Sequence, residues 1–471
     1  MKKTLPIILM ALFMSLLLAA QVSKIIICTP GGLYASMTRT ELITVTDLTL
    51  TGTIDARDFV IMRDSMQSLA SLDLSSVSIV AYSGNDGPAG AGSYSANAIP
   101  EAGFYYYPYT GSGKASLLSV TFPPTITAIS INAFRGTGLT SLSIPATVTF
   151  IGDAAFDGCS GLTSINIPSS VTSIGSYAFA DCIGSTSISI SSLLNSIGSF
   201  AFMNSSGLIT VNPGNPNYSS LEGVLYNNAK TQLIHCPTSK AGSLTIPSSV
   251  NSIIRSAFLG CTALTSVIIP SSVKTIEESA FMHCIGLKTV DIPSSVTTLG
   301  PGAFQLCFGL TSVTIPSSVT SIASVAFYYC TGLTSIYVKL VTPVDLTSSS
   351  NVFTGIDKTA CTLYVPTGSK SAYQAANQWQ DFINISEVIT NVQTFSSNDI
   401  NLYPNEVVDN FCVSGVEGMG LIKISDMNGK TLLSRQFRMY EKIAVNSLSR
   451  GLYIVKLILP TGVFERKMIK K

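Results

Sequence analysis

One dipeptide constrains this chain more than any other feature. Ala-Phe recurs with its phenylalanine at positions 134, 156, 179, 202, 258, 281, 304 and 327, in steps of 22, 23, 23, 56, 23, 23 and 23 residues. The 56-residue step leaves room for one ordinary unit and one longer one. A fixed period of about 20–50 residues marks a stacked-repeat architecture, in which each unit covers an apolar face its neighbour cannot bury alone. The unit from Leu162 to Gly184 reads LTSINIPSSVTSIGSYAFADCIG, and that from Leu287 to Gly309 reads LKTVDIPSSVTTLGPGAFQLCFG. Near-alternation in LTSINI predicts a strand with Ile165 and Ile167 turned inward. Thr163-Ser164 interrupts the alternation, so Leu162 enters from a bend. Pro168 ends the strand because it has no N–H for a ladder bond. Ser169-Ser170 is turn material, Val171 and Ile174 begin a second buried edge, and Gly175 allows a bend. Ala178-Phe179 fills the interior and Cys182 closes the coil.

The 23-residue period falls in the about 20–29 range of leucine-rich repeats. The pattern LTSIxIPSSVTSIGxxAFxxC, carried by eight Ala-Phe units across 117–332, resembles the BspA-type leucine-rich repeats of bacterial surface proteins. That resemblance implies a mainly β repeat protein, a right-handed leucine-rich-repeat solenoid with caps. The stretch 211–237, VNPGNPNYSSLEGVLYNNAKTQLIHCP, is similar to the longer unit of that family, so 208–240 is expected to be a variant coil. The repeat solenoid is assigned to 117–338.

The flanks lack the repeat. Residues 21–116 are expected to form an N-terminal cap with degenerate leucine-rich coils. ARDFVIMRDSM suits a helix with Phe59 and Met62 on one face, and the Gly/Ser/Ala-rich stretch 83–98 suggests a loop. FYYYPY at 104–109 fits either cap packing or an aromatic ligand platform. Residues 339–392 are expected to close the solenoid, with a strand at 361–365 and a helix running through Trp379 whose apolar stripe is Tyr373, Trp379 and Phe382.

Short strands and turns from 395 to 471 suggest a β-sandwich. Its blocks Leu402-Tyr403-Pro404-Asn405, Asp426-Met427-Asn428-Gly429-Lys430, Leu448-Ser449-Arg450-Gly451-Leu452-Tyr453 and Arg466-Lys467-Met468-Ile469-Lys470-Lys471 resemble the C-terminal sorting domain of the Bacteroidetes type IX secretion system. Glu406 stands where that family usually has proline. The resemblance implies that Tyr403, Pro404, Asn405, Gly429, Gly451 and Lys470 belong to the sorting signal, and that the export and sorting machinery is a partner. At the other end, Met1-Lys2-Lys3 and the apolar run Leu5 to Ala20 read as a secretory signal peptide over 1–20. A membrane anchor would need a longer run, and no later segment is long and apolar enough to span. The expected location is extracellular or the outer cell surface, reached through the periplasm.

Composition narrows the function. Only 11% of residues are charged, and the formal net charge is +1, which lacks the basic patch nucleic-acid binding requires. With two histidines, His235 and His283, neither a histidine-based metal site nor a triad is expected. Six of the ten cysteines (159, 182, 261, 284, 307 and 330) share one repeat position, where Ser205 stands in the unit at 185. They are read as buried free thiols, with disulfides between coils as the alternative. No Gly-rich phosphate loop and no cofactor motif is present. What a solenoid offers is a long surface. Its outward strand positions form a hydroxyl ladder interrupted by Asn166, Asp291 and Tyr337. Specific binding leans on aromatic anchors, so the candidate ligand-binding residues are Tyr105, Tyr106, Tyr107, Tyr109, Asn166, Asp291, Tyr328, Tyr329 and Tyr337. The expected function is that of a non-catalytic adhesin for a host or bacterial surface protein, with a structural surface component or a glycan-binding module as alternatives.

Overall fold

The structure, a computed structural model, describes residues 21–106, 111–388, 401–403, 406–414, 419–427, 429–438, 441–459 and 462–471. The expected signal peptide lies outside the described residues. The chain divides into two compact units, one ending at Glu387 and the other beginning at Val388.

The first unit is the solenoid. Each regular coil lays down a strand on one side and a two-residue strand on the other. The first set forms Ser164–Asn166, Ser187–Ile190 and Leu208–Val211, then Gly242–Thr245, Leu264–Ile268, Thr289–Asp291, Ser312–Ile315, Ser335–Val338, Thr362–Pro366 and Asn384–Val388. The second set runs from Ala98–Ile99 to Ser196–Ile197, and again from Gln232–His235 to Ser321–Ile322. Successive coils pair in parallel, in register with the repeat: Ile165 faces Ile188, and Val290 faces Val313. The coil at 139–144 carries no strand, although Thr140 N–H still donates to the Leu118 carbonyl at 3.0 Å.

Inside, the Ala-Phe phenylalanines stack. Ring centroids lie 5.4 Å apart for Phe134–Phe156, 5.2 Å for Phe156–Phe179 and 5.2 Å for Phe281–Phe304, with planes within 7° of parallel. A strand-to-strand spacing of about 4.8 Å sets that distance. The six repeat cysteines are buried free thiols, and they are not merely space-fillers. Five of the six at the repeat position donate to the carbonyl of the previous coil's phenylalanine: Cys159 to Phe134 and Cys284 to Phe258 at 3.1 Å, Cys182 to Phe156 at 3.4 Å, Cys307 to Phe281 and Cys330 to Phe304 at 3.0 Å, while Cys261 donates to the Cys236 carbonyl at 3.4 Å. Ser205 makes the same bond to Phe179 at 2.6 Å, which explains why serine replaces cysteine there.

The caps depart from the sequence reading in two places. Residues Tyr82–Gly87 and Gly90–Tyr94 pair as an antiparallel hairpin, not a loop, and the hydroxyl of Tyr94 accepts from Ala89 N–H and donates to the Gly90 carbonyl. At the other end the helix covers only Lys370–Ala375, so Trp379 lies beyond it in a turn. Tyr373, Trp379 and Phe382 are buried as expected, and the Trp379 indole donates to the Val344 carbonyl at 2.9 Å. The N-terminal cap holds the helix Ala56–Val60, followed by one wide turn at 61–65, with Phe59 and Met62 fully buried. Lys114 meets the carbonyls that turn leaves open, donating to Met66 at 2.6 Å. Burial lowers its ammonium to about 8.

The second unit is a β-sandwich. One sheet orders Glu406–Val407, Gly462–Lys470, Gly451–Leu459, Met419–Ser425 and Thr431–Arg438; the other holds Asn401–Tyr403, Asn410–Ser414 and Ile443–Ala444. Phe411, Val413, Ile422, Ile424, Val455 and Leu457 fill its core.

Candidate functional site

The repeat turns every second strand residue to solvent, and parallel register lines those residues up from coil to coil. In the seven-stranded ladder this gives two columns. One is hydroxyl-bearing: Ser243, Ser266, Thr289, Ser312, Ser335 and Thr362. The other is mixed, with Thr245 beside Ile268, then Asp291, Thr314, Tyr337 and Tyr364 in successive register. Ile268 is 58% exposed and Tyr337 39%. The Tyr337 and Tyr364 rings stack at 4.6 Å with planes 7° apart. Two flat amphipathic rings held side by side on a rigid ladder present a hydrophobic contact surface at low entropic cost.

Tyr364 escaped the sequence reading. The repeat decays after 339, so the register of TLYV at 362–365 cannot be counted from the preceding coil. The signal was its likeness to SIYV at 335–338, which places the two tyrosines one above the other.

The other candidates scatter. Asn166 sits in the separate three-stranded ladder, where the Ser189 hydroxyl donates to its Oδ1; it does not join Asp291. Tyr328 and Tyr329 lie at the coil corner, off the strand face, with rings 4.6 Å apart and Tyr329 exposed. The platform reading of the aromatic run is corrected where it can be seen. Tyr105 is buried, with the Arg135 guanidinium 5.0 Å from its ring centre, and the Tyr106 hydroxyl donates to the Arg63 carbonyl at 2.7 Å. Arg63 in turn donates to the carbonyls of Pro88, Ala102 and Tyr105. These rings serve the cap. Tyr107 and Tyr109 lie outside the described residues, as do Pro404 and Asn405. Tyr403 ends the strand Asn401–Tyr403. Gly429 turns at φ +84°, its N–H donating to the Asp426 carbonyl, and Gly451 faces Lys470 across the ladder.

Neither histidine has a catalytic setting. His283 is exposed at a corner with φ +62°. His235 is buried in the variant coil, its pKa pushed down to about 4 by desolvation against a weaker pull from the Ser205 backbone. The thiols of Cys159, Cys182, Cys284 and Cys330 are displaced the other way by burial, Cys159 up to about 12, so these four are protonated and poor nucleophiles. Among the described residues no three His, Cys, Asp or Glu side chains gather as a metal site, and no helix is long and apolar enough to cross a membrane.

Comparison with known proteins gives two family matches. Residues 108–232 and 235–354, more than half of the chain, match the BspA type leucine rich repeat region in six copies. Residues 401–471 match the secretion system C-terminal sorting domain. No curated protein matches the chain. Among solved structures, the pneumococcal vaccine antigen PcpA is 18% identical, with 78% of this chain and 83% of that chain covered and a TM-score of 0.46. A leucine rich cell surface protein from Faecalibacterium prausnitzii is 26% identical, with 63% and 79% covered and a TM-score of 0.46. A leucine-rich repeat protein from Eubacterium ventriosum is 21% identical, with 71% and 88% covered and a TM-score of 0.44. The chain belongs to the BspA-type leucine-rich-repeat family, and it ends in a type IX sorting domain that implies export to the cell surface or beyond.

Proposed function

We propose that this protein is a non-catalytic adhesin, displayed on the outer cell surface or released from it, that binds a host or bacterial surface protein through the strand face of its solenoid. The supporting observation is the Tyr337–Tyr364 stack in a column that also exposes Ile268 and Asp291. In this reading residues 1–20 direct the chain to the periplasm, and the sorting domain carries it across the outer membrane. The leader is removed near Ala20, and the tail starting near 395 is removed as the mature protein is attached to the cell surface or released.

The test is adhesion of whole cells to immobilised host and bacterial surface proteins, compared between the parent strain and one carrying Tyr337→Ala with Tyr364→Ala. Loss of two central aromatic anchors costs about 2–4 kcal/mol each at a hot spot, so adhesion should fall at least tenfold with surface display unchanged. Equal adhesion by both strains would remove the strand face from the proposal. An envelope defect in a deletion strain whose adhesion is intact would favour a structural role instead.

A further inference from the structure

The variant coil is short by two residues at one corner. In every regular coil the phenylalanine follows the second strand's inward residue by five positions: Ile174 to Phe179, Ile197 to Phe202, Ile253 to Phe258, Ile276 to Phe281. In the variant coil Leu233 pairs with Ile253, and Cys236 takes the phenylalanine's place, its N–H donating to the Ala257 carbonyl as Phe258 donates to Ala280. Only three positions separate Leu233 from Cys236. The corner that should fill the space between residues 198–203 and 254–256 is therefore missing.

The gap is a notch of about 700 Å³. Its first wall carries unspent donors. In the coil before, Tyr177, Phe179 and Asp181 donate to the carbonyls of Ser199, Ala201 and Met203; no carbonyl among the described residues accepts in this way from Phe200, Phe202 or Asn204. Tyr218 also lines the notch, its hydroxyl accepting from Ile197 N–H at 2.9 Å and keeping its own proton to give. Deeper in, His235 is buried and lines the notch, and its Nε2 has no hydrogen-bond partner. The Phe200 ring is already engaged, with Tyr177 stacked on it at 5.0 Å and the Arg255 guanidinium 5.9 Å from its centre, so the open groups of the notch are the polar ones.

These groups select a ligand class. The notch is one coil thick, about 4.8 Å, which suits a flat ring. Its charges are already spent: Glu277 accepts from Ser252 and from Arg255 N–H, and the Arg255 guanidinium pairs with Glu278 at 2.8 Å. An anion would meet the Glu277 carboxylate. An extended peptide would need an edge of alternating donors and acceptors, but the corner is not extended, since Phe200 and Asn204 hold φ of +60° and +56°. Hydroxyl groups both donate and accept, which matches open backbone N–H donors and a tyrosine hydroxyl beside an unpaired imidazole nitrogen.

We infer that the notch between coils 196–204 and 252–258 is a binding site for a neutral saccharide, with backbone N–H groups of Phe200 and Phe202 and the Tyr218 hydroxyl donating to its oxygens and His235 Nε2 accepting from a sugar hydroxyl. This deepens the reading of the solenoid as a binding protein, and it assigns a second site distant in sequence from Tyr337 and Tyr364. The test is a printed array of neutral, sialylated and sulfated oligosaccharides probed with the full chain. The parent should bind neutral members. Tyr218→Phe and His235→Phe should each lose that signal at least tenfold, while the melting temperature of His235→Phe stays near the parent's, because removal of the unpaired Nε2 offsets loss of the imidazole's bond to the Ser205 backbone. The Tyr337→Ala, Tyr364→Ala double variant should bind the array as the parent does. An array with no neutral binder, with only anionic binders, or with signals unmoved by both notch variants overturns the site and leaves the strand-face reading standing. Failure of the strand-face variants alone leaves the notch standing.

Discussion

At the scale of single residues, the repeat cysteine is best understood as a hydrogen-bond donor with an apolar body. Its position demands a small group that reaches the phenylalanine carbonyl one coil back, and Ser205 meets that demand as Cys182 does. The expected outcome is an ordering. Cys284→Ser should stay within about 0.5 kcal/mol of the parent, whereas Cys284→Ala leaves the Phe258 carbonyl with the Cys261 N–H as its one donor and should cost about 0.5–1.5 kcal/mol, read by urea unfolding. A thiol that mattered only for its apolar volume would reverse the order. The sequence pointed to burial of this position through its periodicity. It did not point to the bond, because the acceptor is a backbone atom about 26 residues upstream, as in Cys182 to Phe156, and backbone acceptors leave no residue-type signature.

At the scale of elements, the coil itself was legible and the ends were not. Inward residues such as Ile165 and Ile167, the turn after Pro168 and the Ala-Phe interior all follow from a pattern repeated eight times, so each position is tested many times over. The hairpin at 82–94 occurs once. Its glycines and serines read as loop, and what makes it a ladder is Tyr94 reaching back to Ala89 and Gly90. The C-terminal helix stops at Ala375, short of the expected stripe, because Trp379 and Phe382 reach the core from a turn instead. Of the candidate site, Tyr337 was legible and its partner Tyr364 was not, for want of a countable register. The variant coil also carries its own pH response. His235 is held neutral with a pKa of about 4, below the ordinary histidine value of about 6.5. In the unfolded chain the imidazole gains a proton below about 6.5 that the folded chain refuses. Its contribution is fully present above that pH and is lost as pH falls towards 4, an effect of up to about 3 kcal/mol. Denaturant titrations at pH 7 and pH 4.5 should show this loss in the parent, and His235→Phe should flatten the part of the slope that histidine owns.

At the scale of the molecule, the solenoid is two stacks sharing one irregular coil. One apolar cluster gathers residues from Ile26 to Leu225 and the other from Val224 to Ile385. Both ladders break at the same place: one set stops at Val211 and resumes at Gly242, the other stops at Ile197 and resumes with the hairpin strands and Gln232. Nearest-neighbour stability in repeat proteins concentrates unfolding at the weakest interface. Native-state hydrogen exchange should therefore show two cooperative blocks meeting at 212–240, and restoring a regular corner there should merge them. A single block across the whole solenoid would contradict this. The donor position adds a direction to assembly. Because each thiol reaches backward to a carbonyl already in place, every finished coil is a template that is chemically incomplete until its successor docks. Folding that starts at the N-terminal cap can thus add one layer at a time, each coil waiting only on the next repeat of sequence and never on a distant one.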